Sequence, residues 1–427
     1  MSQKRKSLLR LIKQNSLIVN SYFFMKYFIK RYIIKRALHN IYLHPDSELI
    51  KVSKTIKKQS FFGYYNISPL NSAGDILFGQ VGTNETRGSV VEKLSIRLKT
   101  SNNFIKEIGS SKAWNWQQGC MLQWFASSEY SIIYNDYSTK DNSYIAKIRN
   151  IASSEERIIH KPIYSVANSG KFALTLNFDR LTLMRPDYGY FNRNVNWNDL
   201  PSDSEDGIWF INLDKNTSNL IITLEQLKNF QPISTMDGAK HKVNHIDISP
   251  NGIRFMFLHR WVGPQGRFMR LLTANCIDGS DLYHLTGNEM VSHNCWWGDD
   301  NIISFCRLND GRNRYVHFKD RKGYVGIIGN NEFNRDGHPS VSPDGRWMLT
   351  DDYPDTSRFS GLYLLDLKNN KKYNIGKFYQ PLKYKGEKRI DLHPKWSPDG
   401  KSISIDSGHK GTRQQYVLDL SEYYLDK

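Results

Sequence analysis

The chain has 427 residues, 39% hydrophobic and 13% aromatic, which is ample for a large core and excludes a globally disordered polymer. Its 59 Lys and Arg against 42 Asp and Glu leave a formal charge of +17, a balance that suits nucleic acid, a membrane surface or an acidic polysaccharide. The excess is concentrated between residues 1 and 58, and no RNA-binding or helix-turn-helix signature occurs, so nucleic-acid binding by the main body is disfavoured.

Residues 1–58 read as a basic, aromatic arm preceding a main domain over 59–427. Residues 16–35 run SLIVNSYFFMKYFIKRYIIK. Lys26, Lys30, Arg31 and Lys35 interrupt the apolar run, so no stretch reaches the roughly 18 clean apolar residues of a membrane span. A helix carrying Tyr22, Phe23, Phe24, Tyr27, Phe28 and Tyr32 either lies in a membrane interface as a peripheral contact or packs its aromatic face on the main domain. Leu17 to Met25 has the length of a signal h-region, but no small-residue cleavage site follows. Cys120, Cys276, Cys295 and Cys306 show neither CxxC pairs nor metal-finger spacing. Both features point to a reducing, cytoplasmic compartment, peripheral at the membrane if the arm meets lipid.

Repetition dominates the rest. A first unit starts near Tyr64 (YYNISPLNSAGDILFGQ) and a second near Gln118 (QGCMLQWFASSEYSIIYND). A third starts near Tyr164 (YSVANSGKFALTLNF) and carries a polar insertion from Arg185 to Asp206. Four better-marked units follow at His245 (HIDISPNG), His293 (HNCWWGDD), His338 (HPSVSPDG) and His393 (HPKWSPDG). Ser-Pro-Asp-Gly is a turn, because Pro fixes φ at one central position while Asp and Gly tolerate the conformations that close a hairpin. The flanking runs, such as RWMLTDD and KSISIDS, alternate with period two and are rich in strand-forming residues.

A unit of about 45–55 residues with four such strands is the size of a propeller blade, and blades bury their faces only by stacking in a ring. The expected fold is therefore an all-β, seven-bladed β-propeller; the weakly marked third unit leaves six or eight blades as alternatives. The last unit lacks one strand, and a segment near Leu49 to Lys57 is the expected donor that closes the ring.

In four successive units a histidine stands five residues before the same turn position: His245, His293, His338 and His393. Equivalent positions share one height around the axis, so these histidines are expected to ring one rim of the channel. Imidazoles gathered there can bind a divalent metal, act as acid or base near neutral pH, or hold an anionic sugar. His-Pro before such a turn also serves structure alone, which applies to His338 and, most of all, His393. His259, Arg260, Arg307, Asp351, Asp352 and His409 stand at the ends of the next strands. Arg260, Arg267, Arg270 and Arg307 can together form a carboxylate-binding surface.

The Ser-Pro-Asp-Gly units resemble the TolB-type, WD40-like propeller repeat. The runs FMFLHRWVGPQGRFMRLLTANCIDGSDLYHL from Phe255 and VSHNCWWGDDNIISF from Val291 resemble the oligogalacturonate lyase family. That resemblance implies a seven-bladed propeller that cleaves acidic, uronate-containing oligosaccharides by β-elimination, with a manganese ion held by histidines and a glutamine. It makes His293 and His338 metal ligands, His245 the candidate general base, and Arg267 or Arg270 the group that binds the substrate carboxylate. His259, Arg260, Arg307 and His393 then belong to the substrate-binding surface. The sequence departs from the family where Asn334-Arg335-Asp336-Gly337-His338 replaces a glutamine followed by two histidines, which makes Asp336 or Asn334 a substitute ligand. Asn294 and Arg260 also stand where the family has glutamates. The rival expectation is a non-catalytic propeller that binds a glycan or protein partner, at a membrane surface in polysaccharide assembly.

Overall fold

The computed structural model describes residues 16–34, 39–43, 48–55, 57–82, 92–126, 128, 130–287, 290–330 and 332–420. They form seven antiparallel sheets; five are built from consecutive strands in chain order, and the last two each add one strand from the N-terminal side. Blades 1 to 7 span residues 58–111, 123–159, 165–223, 240–287, 291–328, 340–379 and 395–419. The first strand of each blade lines the channel.

The last blade has three strands of its own. Glu48–Lys51 supplies the fourth, pairing Leu49 with Leu418 and Ile50 with Val417. A further strand, Ile41–Leu43, adds a fifth to blade 6 along Lys371–Tyr379, which the repeat pattern did not announce. The expected donor segment thus begins closure one residue earlier than read, and its later half passes on towards blade 1.

Apolar clusters fill the gaps between successive blades. One joins blades 2, 3 and 4 through residues such as Ile133, Leu174 and Phe257. Others join blades 1 and 2, 4 and 5, 5 and 6, and 6 and 7. The seam between blades 7 and 1 has a smaller cluster around Val52, Phe78 and Val417, and polar bonds reinforce it. The Asp406 carboxylate accepts from the Phe62 and Gly63 N–H groups at 3.2 Å each, and Ser60 Oγ donates to Gln414 Oε1 at 2.9 Å. Asp406 is buried with Lys395 4.0 Å away, so removing it strands two amides and an ammonium group.

Asp406→Ala is expected to lower the unfolding free energy by about 3 kcal/mol and to speed hydrogen exchange at Phe62 and Gly63 first. Urea denaturation with amide exchange measures both.

Candidate functional site

His245 and His293 project from the first strands of blades 4 and 5, and His338 and His393 from the segments just before the first strands of blades 6 and 7. His245 and His293 each sit where the register slips between first and second strand, at Asn244–Asp247 and Val291–Asn294. Such bulges re-aim a side chain. His245 and His393 also have left-handed backbone, with φ of 52° and 44°, a conformation that costs a non-glycine residue energy and clusters at functional sites. The ring centroids step from His245 to His293 in 5.6 Å, to His338 in 4.1 Å and to His393 in 4.3 Å.

This is an arc over four blades, and it lies inside the channel rather than on an open rim: all four residues are buried. Tyrosines make the difference. The first strand of blade 1 is interrupted after Phe61, and the following loop sends Tyr64 and Tyr65 into the channel. Tyr64 bonds His245 Nδ1 through its hydroxyl, and the Tyr65 hydroxyl donates to the Asn294 carbonyl at 2.8 Å. Tyr188 and Tyr353 also pack on the arc, 5.7 Å from His245 and 5.5 Å from His338.

Carboxylates fix the imidazoles. Asp351 Oδ1 accepts from the His338 backbone N–H and lies 2.8 Å from His338 Nδ1, while Oδ2 accepts from the His393 N–H at 3.2 Å. Gly337 permits this approach, since a Cβ there would fall 1.8 Å from the Asp351 carbonyl oxygen. Asp336 holds His293 Nδ1 at 3.0 Å and Ser292 Oγ at 2.6 Å.

Burial, reinforced by the neighbouring imidazole, pushes His338 and His393 well below the usual histidine range. Burial also raises Asp351 to about 7, opposed by its bonds to the two backbone amides. Burial comes first again at His245, joined by Arg260, His293, Arg185 and Lys242, so this imidazole stays neutral.

Three donor groups converge. His338, Asp391 and His393 have ligand atoms within 4.8 Å of one another. His338 Nε2, His393 Nε2 and Asp391 Oδ1 are buried without a hydrogen-bond partner. Two neutral imidazole nitrogens and a carboxylate oxygen suit a divalent transition metal. Of the ligands expected from sequence, His338 lies in this group. His293 stands next to it, and Asp336 is engaged in orienting His293. His393, read as the most structural of the four, belongs to the group.

A cationic wall lies beside it. Lys242 Nζ and Arg260 Nε are buried without partners; burial, followed by repulsion from Arg260, lowers Lys242, and burial, followed by repulsion from Arg185, lowers Arg260 to about 10. Arg185 and Arg389 complete the wall, sharing Asp187 at 3.0 and 2.9 Å, and Arg389 also reaches Asp391 at 2.7 Å. Asp187 comes from the blade 3 insertion, which therefore folds across the channel and meets the segment between blades 6 and 7.

The structure corrects other sequence assignments. Along the second strand of blade 4, His259 and Arg260 face opposite ways. His259 faces His241, 2.9 Å away, and Arg270 Nε, 3.2 Å away. Arg270 donates to the carbonyls of Leu227 and Gln231. It fastens the short helix Leu224–Asn229 to the blade and stands outside the histidine arc. Arg267 is exposed beside the Gly263–Gly266 hairpin, and Arg307 is exposed and donates to Asn313 Oδ1 at 3.0 Å. Tyr64, Tyr65, Lys242, Arg185, Asp187, Arg389 and Asp391 were not foreseen. A signal existed for two of them: Arg389 and Asp391 stand four and two residues before His393, on the same segment that carries that histidine to the site.

No family model matches the chain, and no curated protein matches its sequence. Solved structures do match. One is an oligogalacturonate lyase from Vibrio parahaemolyticus, with a TM-score of 0.60 and 13% identity over 90% of this chain and 97% of that one. Another is an oligogalacturonate lyase in complex with manganese, at 0.62 and 13% over 90% and 96%. A third is the β-propeller domain of the Trilobed protease from Pyrococcus furiosus, at 0.50 and 11% over 84% and 94%. The shared property is the fold. At these identities a lyase and a protease domain resemble the chain alike in architecture, so the site must argue for the function.

Arg389→Ala is expected to release the blade 3 insertion from the segment between blades 6 and 7. Limited proteolysis within residues 185–206 should accelerate about fivefold, the effect of losing about 1 kcal/mol of local stability, with the rest of the propeller as resistant as before.

Proposed function

We propose that the chain is an oligogalacturonate-lyase-like propeller that binds an acidic, uronate-containing saccharide in its channel and cleaves it by metal-assisted β-elimination. One observation carries this reading: three unpartnered metal-type donors, on His338, Asp391 and His393, stand beside a wall holding more cations than acids. Such a wall disfavours a cationic or neutral substrate and offers a carboxylate the charge it needs.

Lys242 and Arg260 would take the uronate carboxylate, in place of the Arg270 suggested by sequence. His245, kept neutral by burial and by Arg260, accepts the proton from the sugar carbon beside the carboxylate. The electron pair of that C–H bond forms the new double bond as the neighbouring C–O bond breaks, and the leaving oxygen takes a proton from water. Lys242 and Arg260 offset the charge that spreads into the carboxylate in the transition state. His338, His393 and Asp391 would hold a divalent ion such as manganese, whose contribution when bound is Lewis-acid polarisation of the carboxylate. Asp351 and Asp336 keep His338 and His293 in fixed orientations throughout.

A second reading, a propeller that holds an acidic glycan without cleaving it, is favoured by the bond tying Tyr64 to His245 and by the Asp187–Arg389 bridge across the site.

Protein purified without chelators should carry about one manganese per chain, the stoichiometry of a single three-ligand site. His338→Ala and His393→Ala should lose it, and His245→Ala should retain it with turnover lowered about 10²- to 10⁴-fold. Elemental analysis and the ultraviolet absorbance of unsaturated uronate are the measurements. Metal and glycan binding without any absorbance rise would select the second reading; neither metal nor glycan binding would sink both.

A further inference from the structure

The helix Ser16–Phe28 continues into a wider π-helical turn, Ile29–Ile34, and the two lie against blade 6. Two stripes at i, i+4 spacing divide the surface of this segment. Phe23 and Tyr27 stack at 6.1 Å, and Arg31 follows one turn on. Tyr27 lies 5.8 Å from the Arg358 guanidinium, and Arg31 lies 3.6 Å from the centre of the Tyr379 ring and donates to Asn40 Oδ1. Tyr27 and Arg31 make the seam with the propeller, where Arg31 is buried, and Phe23 beyond them is exposed.

The other stripe is Phe24, Phe28 and Tyr32, with ring centroids 6.2 and 5.1 Å apart. It turns away from the protein. Phe24 and Met25 are each 60% exposed, and Tyr22, Phe28, Ile29 and Tyr32 are exposed with them. A groove of about 710 Å³ opens between the segment and the propeller, lined by Phe23, Phe24, Met25, Tyr27 and Leu382 and edged by Arg358, Lys383 and Lys385. An uncovered aromatic surface of this kind marks an interaction site.

Charge selects the partner. Residues 1–45 contain ten Lys and Arg and no Asp or Glu. A second copy of the chain would bring like charges together across the aromatic stripe. An anionic bilayer offers both an apolar boundary and a continuous sheet of negative charge. Among the described residues no helix is long and apolar enough to cross a membrane, which leaves a helix lying in the interface plane.

We propose that this segment is an interfacial anchor that seats the propeller on an anionic lipid surface. Phe24, Phe28 and Tyr32 enter the boundary between headgroups and acyl chains, where aromatic rings are favoured. Lys26 and Lys30, with the lysines edging the groove, meet the lipid phosphates. Each Lys or Arg brought to such a surface strengthens binding by about fivefold, and the effect is screened by salt.

Flotation of the full chain with phosphatidylcholine vesicles, with and without about 30% phosphatidylglycerol, a content that gives a strongly negative surface, tests the proposal. The chain should float with the anionic vesicles and lose that binding in about 0.5 M salt. Lys26→Gln/Lys30→Gln should weaken binding at least tenfold, and Phe24→Ser/Phe28→Ser should abolish it, both with the melting temperature of the propeller unchanged. Failure to float, equal flotation of the wild type and the Phe24→Ser/Phe28→Ser variant, or equal binding to neutral vesicles would overturn it. So would a dimer, seen by sedimentation without lipid, that the Phe24→Ser/Phe28→Ser change dissolves, since a second copy would then cover the stripe.

Discussion

The candidate site depends on one buried carboxylate. Asp351, at the end of the second strand of blade 6, receives the backbone N–H of His338 in its own blade and that of His393 in the next, and it also holds the His338 ring. A single side chain thereby sets the spacing between two blades and the direction of one imidazole. The same strand position is used elsewhere: Asn135 in blade 2 exchanges two hydrogen bonds with the backbone of Ile163, and Asp406 in blade 7 grips the start of blade 1. What sets blade 6 apart is that the gripped residues are histidines with a free nitrogen each. A device that elsewhere only fixes blade to blade here also positions functional groups.

The electrostatics of the channel follow from that burial. Burial in a low-dielectric interior holds His245, His338 and His393 well below the usual histidine range, and neutral imidazole is the form that accepts a proton or a metal. The positive charge sits on Lys242, Arg260, Arg185 and Arg389 just beyond the arc, where Asp187 and Asp391 offset only part of it. Neutral donors and a cationic wall thus stand side by side, and Arg260, Arg185 and Lys242 help to suppress protonation of the nearest donor, His245.

Much of the architecture was legible because it is periodic. Turn sequences and alternating strands repeat, so blade number, closure by a strand from the N-terminal side, and the four histidines could be read directly. The site was legible only in part. Tyr64 and Tyr65 were missed because their direction comes from an interruption in the first strand of blade 1, which no local pattern encodes. Arg270 was misplaced because sequence order put it near Arg260, whereas strand alternation and the helix at Leu224–Asn229 turned it to another face. The blade 3 insertion was recognised as an insertion; its crossing of the channel depends on Asp187 meeting Arg389, a contact between distant parts of the chain.

The closure has a consequence for how the chain reaches its fold. Glu48–Lys51 and Ile41–Leu43 pair with the last two blades, and Ser60 bonds Gln414 across 354 residues of sequence. During synthesis these early strands emerge long before their partners exist. They must wait as unpaired edges while five blades assemble in order, and unpaired edges invite pairing with other chains. Ring closure is then the slowest, highest-contact-order event, and the polar Ser60, Gln414 and Asp406 seam favours the correct terminus over a foreign strand. The same step completes the ring and gives blade 7 its last strand, so an incompletely closed molecule holds His393 and Asp391 on an unfinished blade.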